Sequence, residues 1–424
     1  MKKVIVIGGG AAGMMAAIQA AKNGSSVLLL EKTNRLGRKL SITGKGRCNI
    51  TNAEDIQEII KNIPGNGRFL NSVLRTFNST DVINFFESVG VKTKVERGNR
   101  VFPESDKAAD IVNALTKQMQ ELGVELRTSA RVTEILVKAG KVIGVEVNNK
   151  VENADSVVLA VGGASYPATG STGDGFKIAE KLGHTVTKIL PALVPLETEE
   201  SFVKELQGLS LKNVKVTLLS DNKKVAEEFG EMLFTHFGVS GPIILTLSRK
   251  AALLLDEGEF VELSINLKPA LTPEQLSARV LRDFEKYKRK SAKNALVDLL
   301  PSALITVILD FAYIDEEKHI DSVTQTERRR LIDTLRDLRL TITKTRPIEE
   351  AIVTAGGVST KEINPKTMES KLISGLFFAG EVIDVDGFTG GFNLQAAFSM
   401  GYAAGKFSSA LTAPKDKSLG FLST

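Results

Sequence analysis

The residues Gly8-Gly9-Gly10-Ala11-Ala12-Gly13 carry the first chemistry legible in this chain. Glycine at the first place permits a tight turn. Gly10 lets backbone N–H groups approach a pyrophosphate, and Gly13 lets a helix pack closely on a strand. The phosphates would then sit at a helix N-terminus, where the dipole favours an anion. Ala12 lies within this turn. Glu31, 23 residues after Gly8, is spaced to accept hydrogen bonds from an adenosine ribose, with Lys32 beside it. A carboxylate there would repel a 2′-phosphate. The implied ligand is a dinucleotide without that group.

Such a turn works only between a strand and a helix. Lys2 to Ile7 is a continuous apolar run, as in a parallel strand buried on both faces, and Ala11 to Lys22 has helical composition. Ser26 to Leu30 reads as a second buried strand. Further on, Ser79 or Thr80 is placed to cap a helix through Ser88, and Ala108 to Leu122 has helical spacing. Val132–Val137 and Val142–Val147 alternate like a hairpin around Ala139-Gly140-Lys141, and Asp155 to Val161 forms another buried strand. The texture changes near Pro191 to short alternating strands (Val214 to Leu219, Phe260 to Leu267). Pro273 opens a helical stretch to about Leu338, broken at Pro301 and near Asp315. Arg339 to Thr345 alternates again, Ala351 to Gly357 and Gly375 to Gly380 restore Rossmann-like texture, and a last helix starts near Asn393. The expected architecture is α/β. A Rossmann-type domain is split across both termini (residues 1–190 and 347–411). It encloses a small β-barrel-like domain (191–271, with a returning strand at 339–346) and a basic helical domain (272–338), and a tail follows (412–424).

The C-terminal part narrows the dinucleotide to FAD. The strand Leu372 to Gly380 delivers Glu381, and the run resembles the second signature of flavoproteins with two dinucleotide-binding domains, in which that acid holds the flavin ribitol. Gly387-Phe388-Thr389-Gly390-Gly391-Phe392-Asn393 then leads into a helix whose exposed N–H groups suit the flavin pyrimidine edge. Asp384, Asn393 and Leu394 are further candidates here, although Asp384 also reads as a plain loop carboxylate. Gly162 and Gly163 end the strand before Gly170-Ser171-Thr172-Gly173-Asp174-Gly175. That segment resembles the glycine-rich turn of flavoproteins such as fumarate reductase and aspartate oxidase. Val132, opening the hairpin, completes this expected cofactor set.

Three segments carry a wider resemblance: Gly37 to Asn52 (GRKLSITGKGRCNITN), Leu233 to Pro242 (LFTHFGVSGP) and the C-terminal GGFNLQAA. Together they resemble the HI0933-like (BaiN/RdsA-type) family of bacterial flavoproteins over nearly the whole chain, with Lys45 replacing a glycine of the usual string. The resemblance implies an NAD(P)H- and FAD-dependent oxidoreductase. The family's branches act on a conjugated steroid ring or make dihydrouridine in 23S ribosomal RNA.

Lys39, Arg47 and Asn49 follow the second strand and could balance phosphate or an anionic reduced flavin; a solvated basic loop fits them as well. Cys48 is the single cysteine, so no intramolecular disulfide and no dithiol mechanism is available, in keeping with a cytoplasmic setting. Beside Arg47 its pKa would fall, suiting a proton donor to a reduced C=C bond; a packed, inert thiol fits equally. His236, one of three histidines, could protonate substrate or be structural. Three histidines and one cysteine make no zinc site. No G-x-S-x-G elbow, second G-x-G-x-x-G or membrane-length apolar run is present, and the apolar start, broken by three glycines, reads as a strand and not as a leader. Nicotinamide would therefore visit the substrate cleft transiently.

Between Arg279 and Lys293 lie seven basic residues against Asp283 and Glu285, an excess equal to the chain's net charge of +5. Arg328-Arg329-Arg330, Arg336 and Arg339 form a second cluster. The insert suits a phosphate backbone or is an ordinary solvated face. The expected partner is ribosomal RNA or a small unsaturated substrate, with no metal and no membrane; the sequence is silent on oligomeric state. Two other classes remain, a flavin-dependent oxidase or dehydrogenase and an RNA-binding protein with structural FAD.

Overall fold

The computed structural model describes residues 1–410; the expected tail lies outside them. The described residues form two compact units, one comprising Met1–Ile189 and residues 353–410, the other Leu190–Ile352.

The first unit is built on a five-stranded parallel sheet in the order Leu376–Phe378, Ser156–Leu159, Lys3–Ile7, Ser26–Leu30, Glu125–Arg127. Ile5 lies opposite Leu28 on one side and Val157 on the other. Helices cover such a sheet on both faces, so Val4 to Ile7 are all buried, as an unbroken apolar strand requires. The strand contributed by the C-terminal part pairs Phe377 with Val158. Helix Ala11–Lys22 leaves the first strand and is crossed by the last helix, Phe392–Ser408. The crossing is close: a Cβ on Gly401 would lie 2.3 Å from the Ala12 carbonyl oxygen, and one on Gly405 would lie 2.2 Å from that of Ala16.

Two local readings differ from the sequence expectation. The helix Ser79–Ser88 is capped by Asn78, whose side chain accepts from Thr80 and Asp81 N–H while Asp81 accepts in return from the Asn78 N–H. The capping box thus begins one residue earlier than the hydroxyls suggested. The hairpin Val132–Lys138 and Lys141–Val147 gains a third strand, Lys150–Asn153, too polar to be read from alternation.

The second unit holds a closed barrel of six strands: Leu196–Thr198, Gly238–Ser240, Lys223–Thr235, Ser210–Ser220, Val261–Asn266 and Leu338–Thr345. The returning strand pairs Leu340 with Leu263. Helices Pro273–Lys286, Ser302–Phe311 and Gln325–Arg336 precede it. Capping boxes at Thr272/Gln275 and Thr324/Glu327 start the first and third. Leu276, Val280, Ile308, Leu331 and Leu335 share one core with Val216, Leu263 and Ile265 of the barrel. The helices expected as a domain of their own therefore have no separate core.

Candidate functional site

The phosphate turn has the form its glycines imply. Gly8 has φ +107°, and a Cβ on it would lie 2.4 Å from the Ala160 carbonyl oxygen. A Cβ on Gly13 would lie 1.9 Å from the Gly8 carbonyl oxygen, whereas around Gly10 nothing stands within 4 Å. The helix that follows has no side-chain cap at Gly10, so its first N–H groups face the open side of the turn. Ala12 is buried, 2.9 Å from where a Cβ on Gly380 would be. The two ends of the chain thus meet at this turn.

Glu31 closes the turn from the second strand. Its Oε2 accepts from Gly9 N–H at 2.7 Å and its Oε1 from Thr33 N–H at 2.7 Å. Each oxygen keeps a lone pair for a ribose hydroxyl. Lys32 reaches the glycine-rich loop, with Nζ 2.5 Å from Thr172 Oγ1 and 3.1 Å from Asp174 Oδ2. Burial would raise the Asp174 carboxyl, but Lys32, Thr172 and Arg131 outweigh it and hold it below its usual range. Gly162, at φ +77°, puts its α-carbon beside Ser171, and Val132 is buried at the hairpin's start.

Glu381 stands at the centre of a cluster that the sequence shows only in part. Its Oε2 accepts from Lys39 Nζ at 2.7 Å; its Oε1 accepts from Thr354 N–H at 2.7 Å and from Ser165 Oγ at 3.1 Å. Lys39 also donates to Ser165 Oγ at 2.7 Å. Burial pushes the Glu381 carboxyl up, and the Lys39 ammonium with the Thr354 donors more than reverses this, leaving it below its ordinary value. Gly163 is needed for the approach, because a Cβ there would meet Thr354 Oγ1 at 2.3 Å. Ser165 joins the acid from the glycine-rich segment and Thr354 from the strand Val353–Ala355, so the sequence did not show either as a partner of Glu381.

The basic loop is corrected at two of its residues. The Arg47 guanidinium pairs with Glu96 and with Asp106, at 2.6 Å from the latter, and lies 4.1 Å over the Phe102 ring. It is committed within the protein and not held out toward a phosphate. Cys48 is fully buried at φ +61°, and burial pushes its thiol up to about 12, against a smaller opposing hydrogen bond with Thr43. That is the reverse of the depression expected from Arg47. Lys45 takes φ +59° between two left-handed glycines, the conformation that a glycine at this place would adopt at less cost.

Asn49 has a buried Oδ1 with no hydrogen-bond partner, 3.0 Å from where a Cβ on Gly391 would be. Gly391 is the uncapped N-terminus of the last helix, at φ +98°. An orphaned acceptor beside uncapped N–H donors complements a ring edge that carries both a donor and carbonyl acceptors, such as the flavin pyrimidine. The residues therefore fit FAD, which Gly10, Glu31, Glu381, Asn49 and the Gly391 end of the helix would hold. The Asn393 side chain is otherwise engaged. It accepts from Gly387 N–H at 2.8 Å and donates to Gly387 and Phe388 carbonyls at 2.7 and 3.1 Å, fixing the preceding loop. Asp384 is half-buried and its carbonyl accepts from Asn66 Nδ2 at 2.8 Å; Leu394 packs on the core. Behind them runs a buried network missed from the sequence. Gln395 donates to Ser399 Oγ at 2.8 Å and to the Phe77 carbonyl at 3.2 Å, and Thr51 bonds Gln395 Oε1.

His236 belongs to the second unit. It is exposed after the strand Lys223–Thr235, its ring edge-on to Phe237 at 4.9 Å. Among the described residues no cluster of three or more His, Cys, Asp or Glu could hold a metal, and no helix is long and apolar enough to cross a membrane.

A parallel sheet with this phosphate turn, a ribose acid and a returning Gly-Glu strand defines a flavoprotein-type Rossmann domain. Residues 2–407 match the HI0933-like protein Rossmann domain, and the chain belongs to that family of FAD-dependent oxidoreductases. It is 33% identical over 409 residues to the 3-dehydro-bile acid delta(4,6)-reductase of Clostridium scindens, covering 96% of this chain and 98% of that protein. It is 32% identical over 384 residues to the ribosomal RNA dihydrouridine synthase of Escherichia coli, covering 91% and 92%. Its fold is similar to that of the 3-ketosteroid delta1-dehydrogenase of Sterolibacterium denitrificans, with a TM-score of 0.53 at 13% identity, covering 96% and 100%.

Proposed function

We propose that this flavoprotein uses NAD(P)H to reduce an activated C=C bond, and that its substrate is uridine in ribosomal RNA, yielding dihydrouridine. Hydride and a proton add across the bond while NAD(P)H becomes NAD(P)⁺. FAD in the cradle described above supplies the two-electron hydride chemistry. The chain's own part is to hold and orient. Gly10 and the uncapped helix receive the pyrophosphate, Glu31 the ribose, and the remaining lone pair of Glu381 Oε2 a ribitol hydroxyl, while the Gly391 helix end stabilises negative charge at the ring. Cys48 is a poor source for the proton, since its fully buried thiol has its pKa pushed up to about 12.

The observation that favours RNA is the set of cations left over on the insert. Arg279, Lys286, Lys288 and Lys293 are paired with Asp283, Asp298, Glu285 and Glu316. Arg282, Arg289 and Lys290 are exposed and face no carboxylate among the described residues, as phosphate contacts require. The test compares dihydrouridine in 23S rRNA, by mass spectrometry, between a deletion strain and the same strain carrying the gene. Loss of one site, restored by the gene, is the expected result; an unchanged profile sinks the RNA reading. A second reading, a small unsaturated carbonyl substrate, is favoured by the bile acid reductase that matches over nearly the full length of both chains.

A further inference from the structure

Helix Ser302–Phe311 ends in a Schellman motif, in which Tyr313 N–H donates to the Asp310 carbonyl and Ile314 N–H to that of Leu309, both at 3.0 Å. The C′ place of such a motif takes a left-handed backbone and is usually glycine. Here it is tyrosine, at φ +55°. Ile314 turns inward and is buried, but the Tyr313 ring is 75% exposed, so burial of the ring does not repay the backbone strain. The Arg330 guanidinium lies 5.3 Å from the ring centroid, with a buried Nε that has no hydrogen-bond partner. No carboxylate pairs with Arg330 among the described residues. One face of the ring is thus backed by a cation and the rest is open.

The loop after Tyr313 is fastened to the basic segment of the insert. Ala292 N–H donates to the Lys318 carbonyl at 2.8 Å, Lys293 N–H to that of Glu316 at 3.0 Å, and Ile320 N–H to that of Lys290 at 3.0 Å. Tyr313 stands three residues before Glu316, whose carbonyl holds the Lys293 N–H, within about 10 Å of chain, so the open ring and its Arg330 backing lie close to the basic segment. A planar π-face beside unpaired cations is the pairing that single-stranded nucleic acid uses, the base on the ring and the backbone on the cations.

We propose that Tyr313 is a stacking platform for an unpaired nucleobase of the RNA substrate, backed by Arg330. This rests on the RNA reading above and names the residue by which a single-stranded segment would be held. The chain has no tryptophan, so Tyr313→Trp makes a unique reporter. With the full-length, FAD-loaded protein and a fluorescein-labelled oligouridine 12-mer, Tyr313→Gly should bind about ten-fold more weakly than wild type, with an unchanged salt slope. Tyr313→Phe should bind like wild type. Glycine suits φ +55°, so Tyr313→Gly keeps its fold, checked by an unchanged flavin spectrum. Unlabelled oligouridine should quench Tyr313→Trp saturably. Wild-type affinity in Tyr313→Gly, or an unquenched tryptophan, overturns the platform. If affinity is then still lost on replacing Arg282, Arg289 and Lys290 with alanine, the RNA reading survives it. If wild type itself shows no salt-dependent binding, the RNA reading fails and takes the platform with it.

Discussion

Replacing Lys39 with methionine keeps the length of the side chain and removes the ammonium 2.7 Å from Glu381. Both side chains are largely buried, with 24% and 20% exposed, so solvent screens the pair little. A hydrogen bond between charged groups contributes about 1.5–3 kcal/mol, and a loss of about 2 kcal/mol is expected at pH 7.5. The pH dependence separates this from simple packing loss. Wild-type Glu381 titrates below its ordinary 4.5 when folded, so its contribution is complete above that pH and is lost as pH falls through the folded value. In Lys39→Met, burial is opposed only by the Thr354 and Ser165 donors, and the carboxyl titrates higher. The gap in stability between the two proteins is therefore widest near neutrality and closes as pH falls below 4.5. Urea titrations followed by circular dichroism at pH 7.5 and pH 4 measure it. In a Glu381→Gln background the Lys39 substitution should cost little. An equal loss at both pH values, or the same loss in the Glu381→Gln background, would refute the ion-pair reasoning.

Gly13→Ala puts a methyl 1.9 Å from the Gly8 carbonyl oxygen and must part the phosphate turn from its helix. A loss of about 1–3 kcal/mol and a colourless purified protein are expected, read by thermal melting and visible absorbance; a yellow protein with unchanged melting would show that the turn is not the cofactor's seat. Cys48, fully buried with its pKa raised to about 12, should resist a thiol-directed disulfide reagent at pH 8 until guanidinium is added. Rapid reaction of the native protein would reopen its role as an accessible acid.

What could be read from the sequence was whatever depended on neighbours in the chain. The run Val4 to Ile7 had to be a doubly covered strand, and Gly8, Gly10, Gly13 and Glu31 had to form one turn, because spacing alone sets that geometry. Arg47 was misjudged because the acids that claim it, Glu96 and Asp106, lie 49 and 59 residues further on. Thr354 and Ser165 were invisible as partners of Glu381 for the same reason, being 27 and 216 residues away from it. The separate helical domain failed differently. Amphipathic helices announce that they bury one face, but not that the core they join is the barrel's.

The last helix shows the limit most clearly. Phe392–Ser408 is buried nearly all round, so its sequence has no polar stripe to say which side does what. Yet it performs three tasks on separate faces. Its uncapped end at Gly391 stands beside the orphaned Asn49 oxygen. Gln395 and Ser399, one turn apart, hold the Phe77 carbonyl. Gly401 and Gly405, also one turn apart, let the helix lie against the backbone of Ala12 and Ala16 just behind the phosphate turn. From Gln395 to Gly401 the helix rotates by about 240°, so the polar pair and the glycine pair point in different directions. The helix that presents N–H groups where the flavin ring is expected therefore also packs on the helix whose N-terminus is expected to receive the phosphates. A substitution at Gly401 or Gly405 would move both ends of the cofactor site at once, without touching either.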